Sequence, residues 1–264
     1  MKVATWNINS VRRRIALVMR FLREHEPDVL ALQEIKVAND LFPGEALKRL
    51  GYVNQAINGQ KAYHGVAVLS RLPFKYTQVI KFCREGHARH LAVTLANGVE
   101  LHNFYVPAGA DIPDPETNPK FAHKLDFLRA MQREFAKRAD KFRHPMLLLG
   151  DLNVAPMEHD VWSHKQLLDV VSHTPVETAL LGEVKAAFDW VDVTREFIPA
   201  EQKIFSWWSY RAADWKASNR GRRLDHIWVS QALKGALKSQ QIVSKMRGWV
   251  SASDHVPVIA EIDV

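Results

Sequence analysis

The sequence predicts an α/β fold in which two mixed β-sheets pack face to face with helices outside. Three observations predict it. Met146–Leu149 is an apolar run with no polar interruption, as in a strand buried on both faces. Strand-like segments between Tyr52 and Tyr105 follow one another without helices, and Asn97-Gly98 within them is a strong hairpin signal. Elsewhere helix-periodic segments separate the strands, so hairpins and crossovers are mixed. Strict βαβ alternation therefore fails, which disfavours a single doubly wound sheet.

In chain order, Lys2–Trp6 reads as a strand running straight into Asn7 and Asn9. Ser10 is placed to cap a helix reaching about Glu24, with Val11, Ile15, Val18, Phe21 and Leu22 at helical spacing. Pro27-Asp28 breaks it, and Val29–Leu32 is a second buried strand ending at Gln33-Glu34. Pro43–Leu50 is a short helix closed by Gly51. Tyr52–Ile57, Gly65–Ser70, Phe74–Lys81, His90–Leu95 and Glu100–Tyr105 read as strands. Pro107–Pro119, with four prolines and three carboxylates, is an exposed loop. Phe121–Lys141 is the longest helix. Val176–Phe188 and the region Trp190–Phe197 read as helices, and Arg223–Val229, Gln241–Lys245 and Val256–Ile262 as late strands.

At 264 residues, 47% hydrophobic and 25% charged, the chain has material for a large core. No repeat or low-complexity linker divides it, so one domain over 1–264 is expected. The single cysteine, Cys83, excludes an intrachain disulfide and fits a reducing compartment. The opening MKVATWNINS lacks the apolar core of a signal peptide, and no stretch approaches the roughly 18 apolar residues of a membrane span. A soluble, cytoplasmic protein is expected, with no membrane and no obligate protein partner. The net charge of +7 and pI near 9.5 favour a polyanion such as nucleic acid.

Chemistry-bearing residues stand at successive strand ends: Asn7, Glu34, Tyr105, Asp151 with Asn153, and Asp254-His255. Asp225 lies inside the apolar run Leu224–Val229, where a carboxylate needs a partner such as a histidine or a backbone amide. Each residue alone reads as a capped turn or a satisfied polar group. Their recurrence at strand ends, where α/β enzymes keep their polar loops, points instead to a shared site.

WNIN (Trp6–Asn9), LQEIK (Leu32–Lys36), YVP (Tyr105–Pro107), GDLNVAP (Gly150–Pro156), SWWSYR (Ser206–Arg211), NRGRRLDHI (Asn219–Ile227) and SDHVPV (Ser253–Val258) occur in this order. The set resembles the exonuclease III family of AP endonucleases over residues 2 to about 262. The resemblance implies a four-layer α/β sandwich with its site at one edge of the two sheets, and metal-dependent phosphodiester hydrolysis on DNA. It implies Glu34 as the principal ligand of Mg²⁺ (or Mn²⁺), with Asn7 beside it, Asp254 nearby, and Asp151 and Asn153 bordering the metal. Asp151 would orient and deprotonate the attacking water, and Asn153 would contact the scissile phosphate. Tyr105 would stand near the phosphate or leaving group, and His255 would bind a phosphate oxygen with Asp225 orienting it. Hard oxygen ligands suit Mg²⁺, and no Cys or His spacing argues for structural zinc. Whether Asp151 or His255 is the base, and whether one or two metals act, stays open.

For the substrate, one of Trp207 and Trp208 must be core, since they alternate. The resemblance makes Trp207 and Leu224 walls of a pocket for a base-free sugar. Arg222 departs from the apolar or aromatic residue usual there, and its tip would reach a phosphate while its stem lines the wall. Asp111, Asp114 and Glu116 in the loop after Tyr105 would repel phosphate unless they face solvent. Lys36, Lys61, Arg211, Arg220, Arg222 and Arg223 are the phosphate-contact candidates. The expected activity is incision 5′ to abasic sites in double-stranded DNA, leaving a 3′-hydroxyl, with 3′→5′ exonuclease action and removal of 3′-blocking groups. The rivals are a phosphodiesterase or phosphatase of the same superfamily acting on RNA, phosphoinositide or phospholipid, and a DNA-binding protein of the fold without activity.

Overall fold

Alternation of apolar residues on the strands dictates two layers back to back, and the computed structural model, which describes residues 1–138, 142–212 and 214–264, has this arrangement. The first sheet contains β1 (Lys2–Asn7), β2 (Val29–Gln33), β3 (Asn54–Asn58), β4 (Val66–Ser70), β13 (Leu237–Ile242) and β14 (Val258–Ile262), in the order β13-β14-β1-β2-β4-β3. The second contains β5 (Phe74–Gln78), β6 (His90–Leu95), β7 (Glu100–Tyr105), β8 (Met146–Asp151), β9 (Val191–Asp192) and β12 (Asp225–Val229), in the order β5-β6-β7-β8-β12-β9. β10 (Trp207–Trp208) and β11 (Gly221–Arg222) form a separate ribbon. Both large sheets are mixed: β1–β2 and β7–β8 are parallel, and the other pairs antiparallel.

Four layers result. Val3, Val29, Ala31 and Val68 of the first sheet meet Val93, Leu101, Leu147, Leu149 and Ile227 of the second in one buried core. Ala4, Trp6, Leu30 and Leu32 face outward onto Val18, Phe21 and Leu22 of α1 (Val11–His25). On the opposite side Phe104, Leu148 and Trp228 pack on α3 (Pro119–Ala136) and α5 (Pro175–Ala187). The shorter helices are α2 (Gly44–Lys48), α4 (His164–Leu167), α6 (Val193–Phe197), α7 (Trp215–Ser218) and α8 (Gln231–Lys234). Among the described residues no helix is long and apolar enough to cross a membrane.

Several boundaries differ from the sequence reading. Ser10 makes no side-chain cap; its backbone N–H instead donates to Glu34 O at 2.7 Å, so the start of α1 holds the backbone of the β2 exit. Trp190–Phe197 is a two-residue strand followed by a short helix. The strand expected at 241–245 lies earlier, at Leu237–Ile242, and residues 244–248 form a 3₁₀ turn. The last residues of the helix expected over Phe121–Lys141 lie outside the described residues. Gly150 adopts φ +135°, and a Cβ there would fall 2.0 Å from Phe104 O, so only glycine lets β8 pass this close to β7 just before Asp151.

Candidate active site

The strand ends that sequence reading singled out converge at one edge of the two sheets. Asn7 ends β1, and Glu34 follows β2; Tyr105 ends β7, and Asp151 ends β8. Asp225 begins β12, paired directly with Asp151, and Asp254-His255 precede β14. Asn9, Glu34, Lys36 and Asn153 all have φ between +46° and +52°. Left-handed backbone at four non-glycine residues costs roughly 1–3 kcal/mol each, and such strain gathers at functional sites.

The centre is a hydrogen-bonded row. Asn7 Nδ2 donates to Glu34 Oε1 at 2.9 Å and to Asp151 Oδ2 at 2.8 Å. Asn153 donates its backbone N–H to Asp151 Oδ1 at 3.0 Å, and its Nδ2 to Asp151 Oδ2 at 3.1 Å and Val106 O at 2.9 Å. His255 Nε2 lies 3.7 Å from Asp151 Oδ2, while its Nδ1 pairs with Asp225 Oδ2 at 2.8 Å. The Ser206 hydroxyl donates to that same Asp225 oxygen at 2.7 Å and accepts from the backbone N–H groups of Leu224 and Asp225. Asp225 is thus partnered, as its burial requires.

Burial opposes charge on His255, but Asp225 and Asp151 outweigh it and hold the imidazole well above its usual range, so it is a cation at neutral pH. Burial pushes the Asp151 carboxyl up; His255 and Asn7 pull against it without restoring the ordinary value. Glu34 stays anionic: burial raises it, but Lys36 and Asn7 hold it below the carboxylate range. Lys36 Nζ sits 2.8 Å from Glu34 Oε2, so an ammonium already occupies a place where a cation meets this carboxylate. Burial drives the Tyr105 hydroxyl well above its usual range, with Glu34 adding to the effect, and Arg89 lies 4.7 Å over its ring.

A cavity of about 520 Å³ opens on this row. Trp207, Leu224 and Arg222 wall it, as do Trp162 and Val171; Glu34, Tyr105, Asn153, Asp254 and His255 reach it, and Arg211, Arg220 and Asp111 stand at its lining. Trp208 is buried while Trp207 is half-exposed. The Arg222 guanidinium lies 5.3 Å from the Trp207 ring and donates to Val171 O and Ser172 Oγ. Asp254 accepts from Trp207 Nε1 at 3.0 Å and from Asn9 Nδ2 at 3.1 Å, so it positions the pocket wall.

Three expectations need correction. Arg223 contacts no phosphate: it is fully buried, with Nε and Nη2 on Asp160 at 2.8 and 2.9 Å and Nη2 on Asp192 at 2.8 Å. Asn7 turns its NH₂ group, not its oxygen, to both carboxylates, while its Oδ1 accepts the Asn9 N–H; as placed it orients ligands rather than being one. Lys61 is exposed on the loop between β3 and β4 and does not line the cavity. Of the acidic loop, Asp114 closes its own turn through Glu116 N and Thr117 Oγ1, and only Asp111 reaches the cavity.

Sequence reasoning missed Ser206, Asn9 and Lys124. Asn9 accepts from Lys36 Nζ at 2.7 Å and so links Lys36 to Asp254. Lys124, fully buried, pairs with Glu177 and donates to Asn153 O at 2.7 Å, pinning the loop after β8.

A model of the Endonuclease/Exonuclease/phosphatase family matches residues 4–255. The chain belongs to this family. Within it the chain is of the exonuclease III type. It is 31% identical to exodeoxyribonuclease III of Haemophilus influenzae over 274 aligned positions, covering 99% of each chain. An AP endonuclease structure from Archaeoglobus fulgidus superposes with a TM-score of 0.92 at 30% identity, covering both chains in full. A 3′ phosphatase, NExo, from Neisseria, bound to a product DNA hairpin, gives 0.90 at 31% identity, again over both full chains. As a member of this family the protein is a nuclease, a hydrolytic enzyme.

Proposed function

We propose that this exonuclease III-type enzyme is a divalent-cation-dependent DNA repair nuclease. Its substrates are abasic sites, cut on the 5′ side to leave a 3′-hydroxyl, and blocked 3′ ends, which it trims. The observation that carries the reading is the row Glu34–Asn7–Asp151–His255, opening on a cavity walled by Trp207 and Leu224. The relatives add support, since their names describe an exodeoxyribonuclease, an AP endonuclease and a 3′ phosphatase bound to DNA.

The donor set fits a hard cation. Glu34 offers carboxylate oxygens, Asp151 and Asn153 offer oxygen atoms beside it, and Lys36 already marks a cation's place on Glu34. Glu34 would hold Mg²⁺ or Mn²⁺, and the bound ion would neutralise charge on the phosphate. The chain supplies the rest. His255, kept cationic by Asp225, donates to a non-bridging phosphate oxygen. Asp151, fixed by three hydrogen bonds, orients a water and accepts its proton; the raised affinity of its carboxyl for protons suits a base. Tyr105, protonated, donates toward the leaving oxygen. Trp207 and Leu224 close on a bare deoxyribose, which leaves the duplex at lower cost than a stacked nucleotide.

Arg222 favours weighting the activity toward 3′-end trimming. A guanidinium in the pocket wall, beside Arg220 and Arg211, suits a terminal phosphate better than an uncharged sugar. The deciding assay offers two duplexes, one with an internal tetrahydrofuran residue and one with a 3′-phosphate, with Mg²⁺ or EDTA. Metal-dependent turnover of either that collapses in Asp151→Ala and Glu34→Ala is expected. Binding of both without turnover would defeat the reading. Hydrolysis of an RNA or a phosphoinositide in preference to both would favour another substrate class.

A further inference from the structure

We propose a second metal site, for a borderline-soft divalent cation such as Zn²⁺, built from Cys83, Glu85, His87 and His123. It lies apart from the phosphate-binding row and shares no residue with it. Three of the ligands come from one turn, Cys83-Arg84-Glu85-Gly86-His87, in which Gly86 takes φ +68° and its N–H closes on Cys83 O. The fourth, His123, stands on α3 across a gap that the turn faces. One ligand atom from each residue lies within 4.8 Å of the others.

Tetrahedral zinc with one sulfur and three N or O ligands at about 2.0–2.3 Å places its ligands roughly 3.3–3.8 Å apart. The present separations therefore need rotamer adjustments, not backbone movement. The chemical types also match, because thiolate, imidazole and carboxylate are the three zinc ligands proteins use. Burial lowers the proton affinity of both His87 and His123, so each presents a neutral ring. The Cys83 sulfur already accepts the His87 backbone N–H at 3.3 Å. Ligation releases the Cys83 thiol proton to solvent and leaves the thiolate on the cation.

A simple ion pair does not account for the cluster. Glu85 Oε2 approaches His123 Nε2 at 3.0 Å, but that nitrogen has no well-directed hydrogen bond, and His87 Nδ1 is buried with no partner. Two buried imidazole nitrogens without donors or acceptors are costly unless something is meant to occupy the space between them. The ring of His87 continues to His64 at 4.4 Å, and His64 to Tyr105 at 6.1 Å. Arg89, two residues beyond His87, donates to Tyr105 O at 3.2 Å and accepts the Tyr105 backbone N–H on its carbonyl at 2.8 Å. A cation tying the turn to α3 would stiffen the strand segment that holds Tyr105.

The test uses the full chain, stripped with a chelator and titrated with Co²⁺ under saturating Mg²⁺, which keeps the hard-oxygen site filled. One equivalent should bind with a thiolate-to-cobalt charge-transfer band, and Zn²⁺ should displace it. Cys83→Ser should abolish the band, and both Cys83→Ser and His123→Asn should weaken Zn²⁺ binding by at least about tenfold, the scale on which ligand loss registers. Zn²⁺ should raise the thermal midpoint of the wild type and of Glu34→Gln, but not of Cys83→Ser. Absence of the thiolate band in the wild type overturns the proposal. So does equal Zn²⁺ affinity in the wild type, Cys83→Ser and His123→Asn, with circular dichroism showing all three folded.

Discussion

Arg223→Met separates a structural arginine from the DNA-facing arginines beside it. Asn219–Ile227 carries Arg220, Arg222 and Arg223, and by sequence each is an equal candidate for a phosphate. The fold divides them. Arg223 is fully buried, its guanidinium bonded to Asp160 and Asp192, and Asp160 is shared with Arg195. Methionine keeps the volume but leaves two buried carboxylates short of a counter-ion, which costs about 3–5 kcal/mol. Unfolding entropy near 2.1 cal/mol/K per residue gives about 0.55 kcal/mol/K for 264 residues, so the melting midpoint should fall by about 5–9 °C.

The same pair sets a pH signature. Burial favours protonation of Asp160, but Arg223 and Arg195 outweigh it and hold the carboxyl below its usual range. A depressed carboxyl contributes stability above the unfolded value of about 4, and loses it as pH falls through the folded value. The wild type should therefore lose its advantage over Arg223→Met below about pH 4. Arg220→Ala is the control. Arg220 is exposed at the cavity, so its midpoint should move by less than about 1 °C, while the salt slope of DNA affinity falls by about one. The assays are differential scanning calorimetry from pH 3 to 7 and salt-titrated binding to a duplex. A wild-type midpoint for Arg223→Met, together with a reduced salt slope, would refute the reasoning.

Asp225→Asn removes the charge that holds up His255; the imidazole titration seen by NMR should shift to lower pH, and metal-dependent nicking should fall with it. The stabilisation His255 provides is present below its unfolded value near 6.5 and is lost as pH rises through its raised folded value, so the variant should narrow the gap to wild type in alkali. Trp207→Ala should cut incision at an abasic analogue by about tenfold, the lower end of a stacking contact's worth, with a smaller loss of affinity for undamaged duplex; equal losses would place Trp207 in backbone binding. Asp111→Asn removes the one acidic-loop carboxylate at the cavity and should tighten DNA binding a few-fold at low salt, a gain that salt erases. Gly150→Ala forces a left-handed residue against Phe104 O and should destabilise by at least about 2 kcal/mol, read by urea denaturation.

The sheets, their hairpin order and the strand-end carboxylates were legible because period-2 burial and polar residues at strand exits are local signals. β13 was misplaced because it is an edge strand with mostly exposed or half-exposed residues, so no apolar alternation marks it. Ser10 looked like a helix cap because its type and position are local facts; its left-handed φ and its bond to Glu34 O are tertiary ones. Arg223 failed for the same reason, since its partners stand 31 and 63 residues away in sequence. Lys124 and Ser206 left no signal, because a buried lysine and a buried serine look like any surface residue until their partners arrive.

What aligns the two sheets is a polar clamp buried beneath the site. Gln33 Nε2 donates to Thr5 Oγ1 at 2.9 Å and, across the sheet interface, to Asn103 Oδ1 at 2.7 Å. Asn103 Nδ2 returns the contact to Leu32 O and Ala67 O, both at 3.0 Å. Apolar side chains alone would let one sheet slide on the other at little cost, because dispersion is non-directional. These four bonds are directional, and breaking any would strand a buried polar group for about 1–3 kcal/mol. Each clamp residue sits one or two positions before a site residue: Thr5 before Asn7, Gln33 before Glu34, Asn103 before Tyr105. The clamp therefore fixes the separation of Glu34 on one sheet from Tyr105 and Asp151 on the other. Gln33→Leu should fold, since it removes the polar group with its bonds, yet it should loosen that separation and lower turnover more than stability. A turnover unchanged from wild type would show that the helices and loops alone hold the sheets in register.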